Sequence, residues 1–381
     1  MTIDFEPSWM DADLVLLRST IVRFIESEVL PDDEAARKRG NVGHALWRRA
    51  GELGLLCLDV PEEYGGGGGD YRHEAVFNHE LARRSLTGMA ISAHSLVARF
   101  LLDHANEDQR RRYLPRMASG ELVGAIAVTE PDAGSDVQGI RTTARRVDGD
   151  YVLNGSKIFI SNGLLAGIVL VVAKTDAGEG ARGMSILILE TEGLNGYRVG
   201  RVLDKIGQKA QDTAELFFDD VRVPACNLLG GVEGKGFGQL SGLCYERVTI
   251  GITAVAAMEG AYDATLSYVR GRHAFGRPIA EFQNTRFKLA EIATQIKVAR
   301  TFIDRCVTEL AAGHVDMITS SMAKWWLTEL HGKVIDECLQ LHGGYGYMNE
   351  YLISRLYLDA RVRRIYGGTS EIMKEMIARS L

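Results

Sequence analysis

"GLCYERVTIGITAVAAMEGAYDATLSYVRGR", Gly242 to Arg272, has the apolar spacing of one long helix. Gly251, Ala254, Ala257, Gly260, Ala261 and Ala264 recur along it. Small residues let helices approach closely, so the stretch predicts a helical bundle, assigned to residues 235–381. Upstream the pattern shortens. "LVGAIAVT", "GIVLVVAK", "MSILILE" and "AELFFDDVRV" are apolar runs of strand length divided by "DGD", "LNGS" and "DAGEG" turns, which predicts a β domain over residues 121–234. Helical spacing returns in "DLVLLRSTIVRFIESEVL" and "SLVARFLLDHA", broken by the run Gly65 to Gly69, and predicts a helical domain over residues 1–120. The expected fold class is α+β.

The chain has 381 residues, enough for two or three domains around a large interior. Lys plus Arg number 44 against 50 for Asp plus Glu, a net charge of -6 that argues against a nucleic-acid partner. No apolar run approaches the roughly 18 residues that span a bilayer, and "MTIDFEPSWMDADL" is acidic where a targeting peptide is basic. These features lead to the expectation of a cytoplasmic protein without membrane insertion. Cys57, Cys226, Cys244, Cys306 and Cys338 are odd in number and include no C-x-x-C, so reduced thiols are expected rather than disulfides or a thiolate metal site.

Several motifs fail on spacing. "GGVEGKGFG" has the wrong glycine spacing for a phosphate loop and Gly236 where Ser or Thr would hold magnesium. "HGGYGY" lacks the order of a dinucleotide fingerprint and follows helix-like sequence. His73 and His79 stand about 240° apart on a helix, whereas two zinc ligands four residues apart share a face. No metal is expected. Three segments carry more. "AVTEPDAGSD", Ala127 to Asp136, leaves a strand into a turn with exposed N–H groups. "RHAFGRPIAEFQ", Arg272 to Gln283, sets an arginine at a helix end beside Phe275 and Gly276, suited to a pyrophosphate beside an aromatic face. "LQLHGGYGYMNEYLISRLYLDARVRRIYGGTSEI", Leu339 to Ile372, has two glycine-rich breaks that open backbone donors. From the residues alone, a shared cofactor site and ordinary turns and caps are both open.

These segments, together with "NGSKIFISNG" (Asn154 to Gly163), resemble the acyl-CoA dehydrogenase family over essentially the whole chain. "TEPDAGSD" corresponds to one family signature, and "QLHGGYGY" with "IYGGTSEI" to another, in the family's order and separation. The resemblance implies an N-terminal α-helical domain, a middle β-barrel-like domain and a C-terminal four-helix bundle. It also implies FAD between the last two domains, completed by a neighbouring subunit of a homotetramer, an acyl-CoA substrate, and an electron-transferring flavoprotein as electron acceptor. Position by position, it implies that Ile126, Ala127, Val128 and Thr129 meet the flavin ring, largely through backbone. Ser135 matches a phosphate and substrate contact. Phe159, Ile160 and Ser161 match the segment flanking the isoalloxazine, where many relatives have Trp at the first position; Phe159 keeps a stacking surface without the indole N–H. Arg272, Phe275 and Gln283 match cofactor positions after the long helix. Gln340, Gly343, Gly344, Thr369, Ser370 and Glu371 match the remainder.

The same resemblance raises the question of the base. Many relatives have a glutamate directly after "IY", where this chain has Gly367. A subset, including long-chain and isovaleryl members, draws its glutamate from the first bundle helix just before an arginine, and "CYERVTIG" supplies Glu246 followed by Arg247. On a helix, Glu246 has Gly242, Leu243, Thr249 and Ile250 one turn away, an apolar to weakly polar face with no Lys or Arg. Partial desolvation and a raised pKa are therefore expected, as a neutral-pH base requires, with an exposed helix glutamate as the alternative. Glu259 is rotated by about 220° from it and cannot share its pocket. Arg247 is expected to point to another side of the helix, unable to neutralise Glu246, and by resemblance to hold the CoA moiety. Cys244, where many relatives have Asp, Tyr245 and Gly368 complete the expected substrate positions with Ser135 and Gly367. The implied reaction gives a trans-2-enoyl thioester, Glu246 taking the α-proton and FAD the β-hydride. An acyl-CoA or nitroalkane oxidase-like flavoenzyme, a dehydrogenase of acyl-carrier-protein thioesters, and a cofactor-free helical interaction protein are the alternatives.

Overall fold

A computed structural model describes residues 5–241 and 243–381. Gly242, read above as a neighbour of Glu246, lies outside the described residues. Six helices come first: α1 (Ala12–Phe24), α2 (Leu30–Arg39), α3 (Gly43–Glu52), α4 (Tyr71–Arg83), α5 (Ile91–His104) and α6 (Glu107–Ala118). Side-chain oxygens set three of their starts. Asp11 accepts from the Leu14 amide, Asp70 from that of Arg72 and Asn106 from that of Gln109, each satisfying a donor that a first turn leaves without a partner. The run Gly65 to Gly69 is a packed turn. A Cβ at Gly66 would stand 2.2 Å from the Val60 carbonyl oxygen, so only glycine fits there.

Seven strands form one sheet: β1 (Val123–Ala127), β2 (Thr143–Val147), β3 (Asp150–Ser161), β4 (Ala166–Lys174), β5 (Met184–Glu190), β6 (Tyr197–Val202) and β7 (Thr213–Val223). Their order is β1-β4-β2-β3-β7-β6, with β5 also paired to β4. β1 runs parallel to β4, with Val123 opposite Ala166 and Ala127 opposite Val171; β3 and β7 are antiparallel. Val169, Val171, Leu187 and Leu189 enter a core of the sheet's own, while Ile168, Leu170, Val172, Ile186 and Ile188 join the main core with the helices. Both faces of β4 and β5 are therefore covered, which explains why they read as unbroken apolar runs instead of alternating ones.

The C-terminal third comprises α7 (Gly236–Ser241), α8 (Cys244–Gly271), a small hairpin of β8 (His273–Ala274) and β9 (Arg277–Pro278), α9 (Gln283–Ala311), α10 (Met317–His342), α11 (Leu352–Ala360) and α12 (Ser370–Ala378). Helix α8 packs against α9, α10, α11 and α4, and α12 packs on α10. The small residues sit at the crossings, as their spacing predicts. A Cβ on Gly251 would lie 2.8 Å from Ile303 Cδ1 of α9 and 3.1 Å from Leu327 Cδ1 of α10; one on Gly260 would lie 2.0 Å from the Arg83 carbonyl oxygen of α4. Buried charge joins the same elements. Glu259 of α8 accepts from Arg300 of α9 and contacts His79 of α4, while Asp304 accepts from Trp9 Nε1 and the Ser8 amide.

A second buried pair ties β3 to the turn after β1. The fully buried Lys157 donates to the Val128 carbonyl and to Glu130 Oε1, each at 2.8 Å, and Glu130 also accepts from the amides of Arg141 and Thr142. Removing one member of a buried pair leaves the other charge uncompensated. Lys157→Met is therefore expected to lower stability by about 3 kcal/mol in thermal unfolding. A variant that melts with the wild type would refute this role for the pair.

Candidate functional site

The first turn of α8 presents Glu246 to the chain that leaves α11. Gly367 and Gly368 are in left-handed conformations, with φ of 63° and 88°. A Cβ on Gly367 would lie 2.4 Å from Ile250 Cδ1 and 3.5 Å from Glu246 Oε1. Glutamate and bare Cα thus face one another, and any side chain at 367 would enter the space between them. The Gly367 amide makes no hydrogen bond among the described residues. Glu246 is half-buried; the desolvation this brings pushes its carboxyl above the ordinary pKa, and the charges of Arg247 and Lys324 partly offset it.

Those two cations correct the sequence reading. The surroundings of Glu246 are not free of basic residues, because Lys324 of α10, fully buried with Nζ donating to the Gly368 carbonyl, acts on it through space. Arg247 does act on Glu246 electrostatically, although its guanidinium is turned into the bundle, where Nη1 donates to Ser321 Oγ at 3.3 Å and Nε has no partner among the described residues. Helical spacing reports only neighbours on one helix, whereas charge acts through space. One signal was available: "SSMAKWWLT", Ser320 to Thr328, gives Lys324 only uncharged residues one helical turn away, Ser320, Ser321, Leu327 and Thr328.

The other expected substrate positions diverge. Cys244 is half-buried at the start of α8, and Ser135 is exposed on its turn. Tyr245 is buried, its ring edge-on to Tyr71 with centroids 4.9 Å apart. It belongs to the α4–α8 contact, since adjacent helix positions point about 100° apart. A cavity beside Ile250 and Thr253 is lined also by Leu86, Met89, Gln211 and Tyr366, and so joins the helices to the β domain. Gln211 donates to Ser161 Oγ at 2.9 Å.

Ser161 closes a platform on the sheet. The β3–β7 register shifts between Lys157 and Ile160, a bulge that turns Phe159 outward with φ of 62° and 63% exposure. An exposed aromatic side chain on a left-handed backbone costs solvation and conformational energy together, which marks it as a functional candidate. Ile126, Val128 and Thr129 are half-buried beside it, and the Thr129 carbonyl accepts from the Ile158 amide at 3.0 Å. Ala127 and Ile160 have their side chains in the sheet core, so only their backbone is available to a ligand.

The remaining positions gather elsewhere. Arg272, Gln340, Gly343 and Gly344 line an open cleft of about 550 Å³, and the Arg272 guanidinium lies 5.6 Å from the Tyr345 ring centroid. Phe275, at the tip of the β8–β9 hairpin, has φ of 50° and is 95% exposed; Gln283 opens α9 with its side chain in solvent. Nothing stands within 4 Å of a Cβ on Gly343 or Gly344, so the backbone there is open to a ligand. Bundle residues alone line this cleft, so it and the Phe159 platform are separate surfaces of one chain. Thr369 caps α12 by accepting from the Ile372 amide, Ser370 is buried and donates to Glu329 at 2.7 Å, and Glu371 is exposed. The Ser370 hydroxyl is therefore committed to the bundle. A stacking face, a guanidinium and open glycine backbone make up the donor set that a flavin dinucleotide requires. Among the described residues no cluster of His, Cys, Asp and Glu is suited to a metal ion.

Comparison with known proteins agrees with this arrangement. Family models match consecutively: "Acyl-CoA dehydrogenase, N-terminal domain" over residues 11–121, the middle domain over 125–221 and the C-terminal domain over 234–381. The chain is 46% identical over 370 residues to the mitochondrial long-chain specific acyl-CoA dehydrogenase of Rattus norvegicus, covering 96% of this chain and 86% of that protein. The crystal structure of an acyl-CoA dehydrogenase from Geobacillus kaustophilus superposes with a TM-score of 0.94 at 43% identity, covering 98% of this chain and 99% of that one. A glutaryl-CoA dehydrogenase from Mycobacterium smegmatis, solved in complex with FADH2, gives a TM-score of 0.90 at 28% identity, covering 97% of this chain and 95% of that one. With its three domains matched in order and its fold shared throughout, the chain belongs to the acyl-CoA dehydrogenase family.

Proposed function

We propose that this protein is an FAD-dependent dehydrogenase of acyl-CoA thioesters, with Glu246 as the base that removes the substrate α-proton. The observation that carries the reading is the Glu246 carboxyl set against the bare Gly367, 3.5 Å from where a Cβ would be. A thioester α-carbon is a weak acid, so the step needs a positioned base and a donor for the developing enolate oxygen. The Gly367 amide, free of any internal acceptor among the described residues, is that donor. One such hydrogen bond contributes about 3 kcal/mol to the transition state. Burial keeps Glu246 basic enough to take the proton, and the product is the trans-2-enoyl thioester.

Bound FAD would supply the acceptor for the hydride that leaves the substrate β-carbon. Phe159, Ser161 and Thr129 would hold its ring end on the sheet platform, with Ser135 on the adjoining turn towards a phosphate and the substrate. Arg272, Phe275, Gln283, Gln340, Gly343 and Gly344 would hold the dinucleotide end. The two surfaces are completed between subunits of a homotetramer; the wholly solvent-facing Phe275 and the lining of the Arg272 cleft by bundle residues alone support this. An electron-transferring flavoprotein is the proposed electron acceptor. No described helix is long and apolar enough to cross a membrane, and the five unpaired cysteines support a reducing compartment, here the cytoplasm.

Glu246→Gln is expected to bind FAD and remain yellow while its anaerobic flavin bleaching by acyl-CoA slows by about a thousandfold. Bleaching at the normal rate would remove Glu246 from the chemistry. Because burial raises this pKa and the base acts ionised, the wild-type bleaching rate should fall as pH drops through a value above the ordinary glutamate range, measured by stopped flow. Arg272→Ala is expected to lose flavin on dialysis. An unchanged ratio of flavin to protein absorbance would exclude Arg272 as a phosphate ligand.

A further inference from the structure

We infer that Lys324 is a positioning residue for this reaction: its ammonium pins the Gly367–Gly368 turn through the Gly368 carbonyl and holds Glu246 in its proton-accepting form. The inference rests on Glu246 being the base and adds a group that, with Arg247, favours its carboxylate. Two consecutive peptide units carry the geometry. Glu246 Oε1 stands 3.5 Å from where a Cβ on Gly367 would be, and Lys324 Nζ donates to the carbonyl of Gly368. Carboxylate and ammonium thus flank one glycine pair.

Lys324 forms no salt bridge among the described residues, although it is fully buried on α10. A buried cation with one carbonyl partner is costly unless something else needs its charge. Each charged group around the pair has a separate position. From α8 come Glu246 and Arg247, the latter bonded to Ser321 one turn before Lys324. Glu329, on α10 itself, is engaged by Arg364 and Ser370, and Glu371 of α12 is exposed. The turn between contributes only glycines and the hydroxyl of Thr369, already used as a helix cap. Asp59 and Glu74 act on the Tyr71 and Tyr245 side of α8. Burial brings the Lys324 ammonium down to about 8, with Glu246 first among the groups that oppose the fall, so near neutral pH the cation persists. By reciprocity, the same attraction favours the Glu246 carboxylate.

The alternative is a lysine that serves the fold alone, so the test reads the proton. FAD-loaded Lys324→Met should bleach with acyl-CoA along a pH profile whose acid limb lies higher than wild type by about one unit, a tenfold loss of rate below the limb, with little change in the half-saturating acyl-CoA concentration. Lys324→Arg, which keeps the charge, should return the limb towards the wild-type position. An acid limb unmoved in flavin-loaded K324M overturns the proposal. Where K324M fails to load FAD, the double variant with Glu246→Gln decides: recovered loading shows that the two charges answer one another, and failure of the double variant as well leaves Lys324 a folding residue and overturns the proposal. Bleaching by E246Q alone would instead overturn the assignment of the base, so the two claims fail separately.

Discussion

A missing side chain at Gly367 is the constraint around which the site is organised. With φ of 63° the position lies in the region where a Cβ is strained, and the space a Cβ would take is bounded by Ile250 and by the carboxyl of Glu246. Glu246 can face that turn because the turn presents only backbone. The same bareness leaves the Gly367 amide open. The proposed base and the proposed donor therefore come from different elements, the first from a long helix that the bundle fixes and the second from the loop that precedes α12. Neither could be supplied by local structure alone.

The charge state of Glu246 is a balance of opposing terms. Desolvation is the largest and favours the protonated carboxyl; Arg247 and Lys324 favour the carboxylate. A glutamate buried without cations would hold its proton too firmly near neutral pH, and one paired directly to a cation would be too weak a base. Arg247 turned to Ser321 and Lys324 turned to Gly368 set their charges nearby without direct pairing. This arrangement depends on close packing of α8 against α10, which the absent side chain of Gly251 permits.

The β domain supports the other half of the site by different means. Its platform depends on a bulge in β3 that exposes Phe159, and the buried Lys157 beside it is bonded to Val128 and Glu130. One ion pair thereby joins the strand that carries the aromatic face to the turn that carries Thr129 and Ser135. The cost of an exposed ring on a left-handed backbone is borne by this rigid support. Pre-organisation of that kind is what a cofactor surface requires, because mobile groups would lose entropy on binding.

Much of this was legible in the sequence, and the remainder was not, for physical reasons. The division into helical, strand and helical thirds follows from apolar periodicity, a local property, and the small residues of α8 announce its crossings for the same reason. Glu246 could be singled out only through the family resemblance, which places a glutamate either directly after Tyr366, where this chain has Gly367, or at the start of the first bundle helix. Residues joined only by folding were beyond reach: Lys324 acting on Glu246, Lys157 bonded to Glu130, and the Ser370 hydroxyl committed to Glu329. Linear pattern gives the face a residue occupies on its own helix or strand, while its electrostatic neighbours come from other elements at distances along the chain that no periodicity encodes. The sequence by itself determined the elements, and its resemblance to the family pointed to the candidate base; tertiary packing decided which charges surround that residue, because burial and through-space attraction exist only once the chain has closed on itself.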